Sequence, residues 1–328
     1  MCWLSDPPYL GVNVRKRYLI ILTAALAAVV LAAGCSSLSS NSGSGSGAGG
    51  GKVLNVVATT TQVQDFARVI GGDRIKLTGV LKPNVDPHDY EPSPADIDAV
   101  AKADLVVKNG VGLEKWFDDT VKSAGFSGTV VDASQGVKII AGNGSAEEQN
   151  GDPHIWHNPL NAKLMVANIE RAFAAAAPAD AGTFKANLDA YDAKLTTLDA
   201  DIARQVSGLA NKKLVTNHDA FHYYVDRYGL EFVGSIIPSF DTSAELSGKD
   251  VADIVAKIKE TGVKAIFSES SLPPKTADTI GREAHVKVVE GESALYGDTL
   301  GPAGSEGATY LQMEEHNTRT IVSALSGI

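Results

Sequence analysis

The triplet Asp-Pro-His occurs twice in the chain, as Asp86-Pro87-His88 and as Asp152-Pro153-His154. A third histidine, His218, sits in Thr216-Asn217-His218-Asp219-Ala220-Phe221, and an aspartate, Asp298, in Tyr296-Gly297-Asp298-Thr299-Leu300. Each of the four follows a segment that reads as a β-strand, directly or after one loop. Three imidazoles and one carboxylate converging at strand ends would make a closed tetrahedral metal site. A lone loop histidine is ordinarily a solvated side chain, so the weight rests on the shared placement of all four.

The elements that must position these groups alternate strand and helix. Strands are predicted at 53–58, 75–81, 105–108 and 129–131. Helices fall at 61–70, at 94–103 behind the Ser93-Pro94 cap, and at 114–124. The same grammar restarts with strands at 213–216, 231–237, 264–268 and 286–289, and helices at 220–228, 249–261, 274–284 and 309–324. Such alternation argues for parallel sheets wrapped by helices. Between the two runs, residues 183–209 form one long helical stretch. Phe184, Leu188, Tyr191, Leu195, Leu198, Ile202 and Val206 recur there at helical spacing. At 1.5 Å per residue it would be about 40 Å long, enough to cross a whole domain. The expected fold is therefore α/β, with two lobes at 52–181 and 211–328 joined by a spine helix at 182–210. Ligands of open α/β sheets bind outside the carboxyl ends of the strands. His88 and His154 then come from the first lobe, His218 and Asp298 from the second, and the site lies in the cleft between them.

The chain has 328 residues, 44% hydrophobic and 21% charged, enough for a sizeable core and two domains. Its N-terminus reads as an export signal: a basic Arg15-Lys16-Arg17, an apolar run from Tyr18 to Ala33, then Leu31-Ala32-Ala33-Gly34-Cys35. The apolar run is short for a bilayer span. A cysteine directly after small residues looks like a bacterial lipobox, so residues 1–34 are expected to be removed. Cys35 would then be diacylated, anchoring the protein on the outer side of the cell membrane, where two acyl chains suffice. Residues 1–13 fit no part of a signal, which points to a start at Val14 from a non-AUG codon. The Ser/Gly-rich stretch 36–51 is a tether that lets the domain stand some 20 Å off the membrane.

No cysteine follows Cys35, which excludes an internal disulfide, a thiol nucleophile and a cysteine-based zinc site. Loss of Asp6, Arg15, Lys16 and Arg17 with the signal takes the net charge from −10 to −12, which disfavours nucleic acid as a partner.

The chain resembles the zinc- and manganese-binding solute-binding lipoproteins of ABC transporters, over residues 53–325. The segments that carry the resemblance are Pro87-His88-Asp89-Tyr90-Glu91-Pro92-Ser93-Pro94, Asp152-Pro153-His154-Ile155-Trp156, His218-Asp219-Ala220-Phe221 and Gly297-Asp298-Thr299-Leu300-Gly301. The resemblance implies two α/β lobes bridged by a long helix, with His88, His154, His218 and Asp298 as metal ligands. His157-Asn158 departs from the Leu-Asp usual in the family, and His222 replaces a small residue. His157, three residues after His154, can support the site from behind or act as a low-affinity capture group, with a surface histidine the favoured expectation. His222 is spaced from His218 like a helical zinc pair, but His218 precedes the helix, so the two rings need not share a face. His285 and His316, on helix flanks, are expected to be exposed. Glu269, at a strand end, can orient a ligand histidine or be an ordinary strand-end acid.

Three imidazoles and a carboxylate suit Zn2+, and the Irving–Williams order leans the same way against Mn2+. Manganese-carrying relatives often have glutamate at the position of His218. The long His-rich loop of many zinc-specific relatives is absent: residues 141–151 are short and hold Glu147-Glu148 instead. The expected function is capture of zinc, with manganese as the alternative cargo, and delivery to a separate ABC permease and its ATPase. The chain itself has neither a membrane bundle nor a P-loop, and a monomer is expected. Competing readings are a secreted zinc hydrolase, with Glu269 as general base, and a cell-surface adhesin. Because ligand histidines must be deprotonated, metal affinity is expected to fall below about pH 6.5. The spine helix is expected to restrict hinge motion, leaving loop shifts to release the ion.

Overall fold

Among the described residues, short runs of apolar and β-branched residues make eight strands. In the first half they are β1 (Leu54–Ala58), β2 (Ile75–Gly79), β3 (Leu105–Lys108) and β4 (Thr129–Asp132). In the second half they are β5 (Lys213–His218), β6 (Glu231–Ile237), β7 (Ala265–Phe267) and β8 (Lys287–Val289). The computed structural model describes residues 52–143 and 148–327. The signal segment, Cys35 and the tether lie outside the described residues.

The strands form two parallel four-stranded sheets, ordered β2-β1-β3-β4 and β6-β5-β7-β8. The order is the same in both, and in each it reverses beside the first strand of the set. Crossovers between parallel strands need helices, and the chain supplies them. They are α1 (Thr61–Gly71), α2 (Pro94–Ala101) and α3 (Phe117–Ser123), then α6 (His222–Tyr228), α7 (Gly248–Thr261) and α8 (Lys275–Ala284). Ser93 caps α2 in a reciprocal box with Asp96, and Ser247 caps α7 in the same way with Asp250. A final helix, α9 (Tyr310–Ser326), starts at the Thr309 cap.

Two α-helices stand between the two sets of strands in the chain. The long one, α5 (Ala181–Ser207), has 27 residues, about 40 Å at the usual rise. The other, α4 (Pro159–Ala176), is not among the elements read from the sequence. Its signal was present: the Asn158 side chain caps Leu160 N–H, Pro159 takes the first turn, and Ala162, Met165, Val166, Ile169 and Phe173 are buried at helical spacing.

The two halves share a core. One continuous apolar cluster takes Phe66 and Ile70 from α1, Met165 and Phe173 from α4, and the expected inward face of α5. From the second half it takes Leu214, Phe221, Phe267, Tyr310 and Ile321. Smaller clusters fill the outer faces, under α2 and α3 on one side and under α7 and α8 on the other. The two parallel sheets and the long α5 are the architecture expected from the sequence, and because the buried face of α5 joins a core fed by both halves, the described chain from residue 52 onward packs as one unit. Among the described residues no helix is long and apolar enough to cross a membrane.

Leu195, fully buried on α5, tests this shared core. Its replacement by Ala is expected to cost about 2–5 kcal/mol. Urea denaturation followed by Trp116 and Trp156 fluorescence and by far-UV circular dichroism should give one common midpoint, as two-state unfolding requires. Separate midpoints would mean that the halves unfold independently.

Candidate metal centre

The two Asp-Pro-His triplets fold identically at their start. Pro fixes φ at the second position, and the aspartate Oδ1 accepts the N–H of the histidine two residues on, at 2.9 Å in Asp86–His88 and at 2.9 Å in Asp152–His154. The intervening carbonyls are pinned as well. Trp116 Nε1–H donates to Pro87 O at 3.3 Å, and Asn109 Nδ2–H donates to Pro153 O at 2.9 Å. His88 lies in the loop between β2 and α2. His154 opens the short turn ahead of α4, His218 is the last residue of β5, and Asp298 lies between β8 and α9.

The structure brings these four side chains to one point. His88 Nε2 and His218 Nε2 each lie 3.3 Å from His154 Nε2. The Asp298 carboxylate is 3.6 Å from His88 Nε2, 3.2 Å from His154 Nε2 and 3.3 Å from His218 Nε2. Four donors at about 2.0–2.1 Å from a tetrahedral ion stand about 3.3–3.4 Å from each other, which the measured edges straddle. All four residues are buried, with His88 the most accessible at 8%. Neither Asp298 oxygen accepts a hydrogen bond among the described residues. A buried carboxylate without hydrogen bonds is costly unless a positive charge faces it.

Two further carboxylates fix the rings. His154 Nδ1–H donates to Asp152 Oδ1 at 2.7 Å, and His218 Nδ1–H donates to Glu269 Oε1 at 2.8 Å. Glu269 Oε1 also accepts His218 N–H, at 3.1 Å. Both bonds hold the proton on Nδ1 and aim the Nε2 lone pair at the shared point. Glu269 presses closely on the Asp298 segment: a Cβ on Gly297 would meet its Oε2 at 1.9 Å, so a larger residue there would displace the carboxyl that orients His218.

Charge divides the three imidazoles. At His88, burial outweighs the attraction of Asp298, and the pKa falls to about 3. At His154, burial is overcome by Asp152 and Asp298, which raise the pKa to about 9. His218 is likewise pushed well above the ordinary histidine value, Asp298 and Glu269 overcoming its burial. Burial opposes ionisation of Asp298, but His218 and His154 hold its carboxyl well below the usual range.

The other histidines correct several expectations. His157 is not on the surface. It is fully buried, with Nδ1 2.8 Å from Glu314 Oε1, Nε2 3.1 Å from Gly297 O, and its ring stacked on Phe221. His222 stands outside the four-residue cluster, with Nδ1 3.3 Å from the far oxygen of Asp152. His285 is exposed, but His316 is buried, bonded to Glu306 Oε2 at 2.9 Å and to Ala294 O at 3.0 Å. By sequence, two of the four groups come from each half, but the hydrogen bonds around Asp298 cross between the halves. Asp298 belongs to the second half by sequence, yet its neighbours are tied to the first. Thr299 Oγ1 accepts Asn84 N–H at 3.0 Å, Leu300 N–H donates to Thr61 Oγ1 at 2.8 Å, and Trp156 Nε1–H donates to Gly297 O at 3.1 Å.

Residues 56–324 match the family described as zinc-uptake complex component A, periplasmic. The chain belongs to this family. Among relatives, the manganese-binding lipoprotein MntA of Bacillus subtilis (strain 168) is 32% identical over 314 residues, covering 93% of this chain and 98% of MntA. The iron ABC transporter substrate-binding lipoprotein MtsA of Streptococcus pyogenes serotype M1 is 31% identical over 319 residues, covering 95% of this chain and 99% of MtsA. The periplasmic zinc binding protein TroA from Treponema pallidum shares the fold, with a TM-score of 0.75 and 30% identity. The match covers 83% of this chain and 98% of that one. Family membership confirms the α/β class expected from the sequence, with its paired parallel sheets and long central helix.

The split among the imidazoles can be measured on metal-free protein. Histidine titration by NMR should show His154 keeping its proton until about pH 9, while His88 stays neutral down to about pH 3. Since folding raises the His154 pKa from 6.5, the stability it contributes is fully present below 6.5 and is lost as pH rises through about 9. A His154 midpoint at or below 6.5 would contradict this electrostatic assignment.

Proposed function

We propose that the protein captures one divalent transition metal ion at His88, His154, His218 and Asp298 and hands it to an ABC permease driven by its ATPase. The observation that carries this reading is the convergence of the four groups, with five donor separations of 3.2 to 3.6 Å that suit a single tetrahedral ion. The three nitrogens and one carboxylate favour zinc. Manganese is the second reading, and one feature favours it. His154 Nε2 is nearest Asp298 Oδ1, whereas His88 and His218 are nearest Oδ2, so both oxygens face the ion and can supply a more oxygen-rich shell.

Capture is an exchange of protons for metal. His88, neutral, offers a lone pair at any physiological pH. His154 and His218 must each lose the proton on Nε2, while Asp152 and Glu269 keep Nδ1–H in place and steady the rings. An ion bound this way is enclosed. The loop between β6 and α7 brings Phe240 near His154 and ties itself across the site. Thr242 Oγ1–H donates to Asp86 Oδ2 at 2.6 Å, Lys115 pairs with Asp241, and Phe240 N–H donates to Glu148 Oε1 at 3.2 Å. With both halves in one core, this loop is the element that must shift for the ion to enter and leave.

Four protein donors leave a tetrahedral ion no open position for water, which argues for a carrier and against a zinc hydrolase. A cell-surface adhesin would leave the convergence of the four buried groups without a role. The location proposed is extracytoplasmic, on a lipid anchor at Cys35, with the chain acting as a monomer.

Calorimetry tests the reading. Replacing His218 by Ala should weaken zinc binding on the order of 100-fold or more, a quarter share of the roughly 10–16 kcal/mol typical of tetrahedral zinc sites, while circular dichroism stays native. Unchanged affinity would remove His218 from the site. Near pH 7, titrations in buffers of different ionisation enthalpy should show about two protons released per ion, from His154 and His218. Affinity should keep rising with pH up to about 9, the His154 value, instead of levelling off at the 6.5 expected from an unperturbed histidine.

A further inference from the structure

We infer that His157, clamped between Glu314 and the Gly297 carbonyl, is the positioning residue that holds Asp298 on the metal. The inference rests on the metal-capture reading above and concerns how one of its ligands is kept in place. His154 and His218 are each oriented by a carboxylate on the ring nitrogen that faces away from the ion. Asp298 has no such partner, because neither of its oxygens accepts a hydrogen bond among the described residues. Its direction is therefore set through its backbone, and the peptide group just before it is the Gly297 carbonyl. That carbonyl receives two N–H donors, Trp156 Nε1 at 3.1 Å and His157 Nε2 at 3.1 Å.

His157 can donate from Nε2 only while that nitrogen carries hydrogen. A carbonyl oxygen can only accept, so the 3.1 Å contact with Gly297 O places a hydrogen on Nε2, while Glu314 Oε1, 2.8 Å from Nδ1, holds the other side of the ring. Glu314 sits on α9, fully buried, and its other oxygen has no hydrogen-bond partner among the described residues. Phe221, in the segment that follows His218, stacks on the imidazole at 4.3 Å and fixes its plane. The result is a rigid strut from α9, through the turn that follows His154, to the peptide that presents Asp298.

Cobalt(II), whose d–d absorption reports coordination, is the probe. Its affinity and spectrum are measured for the full mature chain, for His157→Gln, for His157→Leu, for the double variant His157→Leu/Glu314→Leu, and for Asp298→Ala as reference. Gln keeps an N–H donor at the position of Nε2. The double variant replaces both polar partners by apolar groups, so that folding survives if the single Leu variant does not fold. Expected are a loss of about 10–100-fold in affinity for the Leu variants, typical for groups that orient a ligand, and a spectrum displaced towards that of Asp298→Ala. His157→Gln should restore both. Wild-type affinity and spectrum in the double variant would overturn the role of His157, and so would an equal loss in the Gln and Leu variants, which would indicate packing alone. A wild-type protein that fails to bind cobalt or zinc would instead sink the metal-capture reading.

Discussion

A buried carboxylate enclosed by three imidazoles, accepting no hydrogen bond among the described residues, is the constraint on which the rest of the structure depends. An anion in that position is tolerable only opposite positive charge. Protons on His154 and His218 can supply it, or a divalent cation can. The two are mutually exclusive at the same Nε2 lone pairs. The centre is consequently a balance between proton and metal, and the surrounding carboxylates Asp152 and Glu269 act on both sides of it. They keep each ring aimed at the shared point, and they raise the basicity that a metal ligand needs.

The fold makes this balance affordable by refusing the centre any easy relaxation. The strands end where ligand-bearing turns begin, and the turns are pinned by Trp116, Asn109, Thr61 and Asn84. Helix α5 does not simply tie two bodies together. Its buried face belongs to a core with contributions from both halves. Asp298 is reached by chain from the second half but held by the first, so separating the halves would pull the ligand set apart unevenly. That mechanical arrangement points to the loop carrying Phe240, Asp241 and Thr242 as the moving part, a smaller motion than a hinge between free lobes.

Much of this was legible in the residues. The strand and helix alternation, the long apolar stripe from Phe184 to Val206, and the position of four candidate donors beyond strand ends are local patterns, and local patterns survive into the fold. What escaped is mostly non-local. His157 and Glu314 are 157 positions apart, and nothing in the turn Ile155-Trp156-His157 shows that its histidine will meet a glutamate on α9. His316 looked like a helix-flank residue because its partners, Glu306 and Ala294 O, come from the loop region before that helix. Helix α4 is a different case: its Asn-Pro start and apolar spacing are local signals that lie directly after the Asp-Pro-His motif. The role of the aspartate in each Asp-Pro-His could also have been read, since an aspartate two residues before a histidine is placed to accept its N–H.

The most direct test of the account is anomalous diffraction at the zinc absorption edge from crystals of the protein grown with zinc. One anomalous peak is expected, bonded at about 2.0–2.2 Å to Nε2 of His88, His154 and His218 and to the carboxylate of Asp298, with Nδ1 of His154 and His218 still on Asp152 and Glu269. A peak elsewhere, or an ion that leaves any of the four unbonded and takes water in its place, would contradict it.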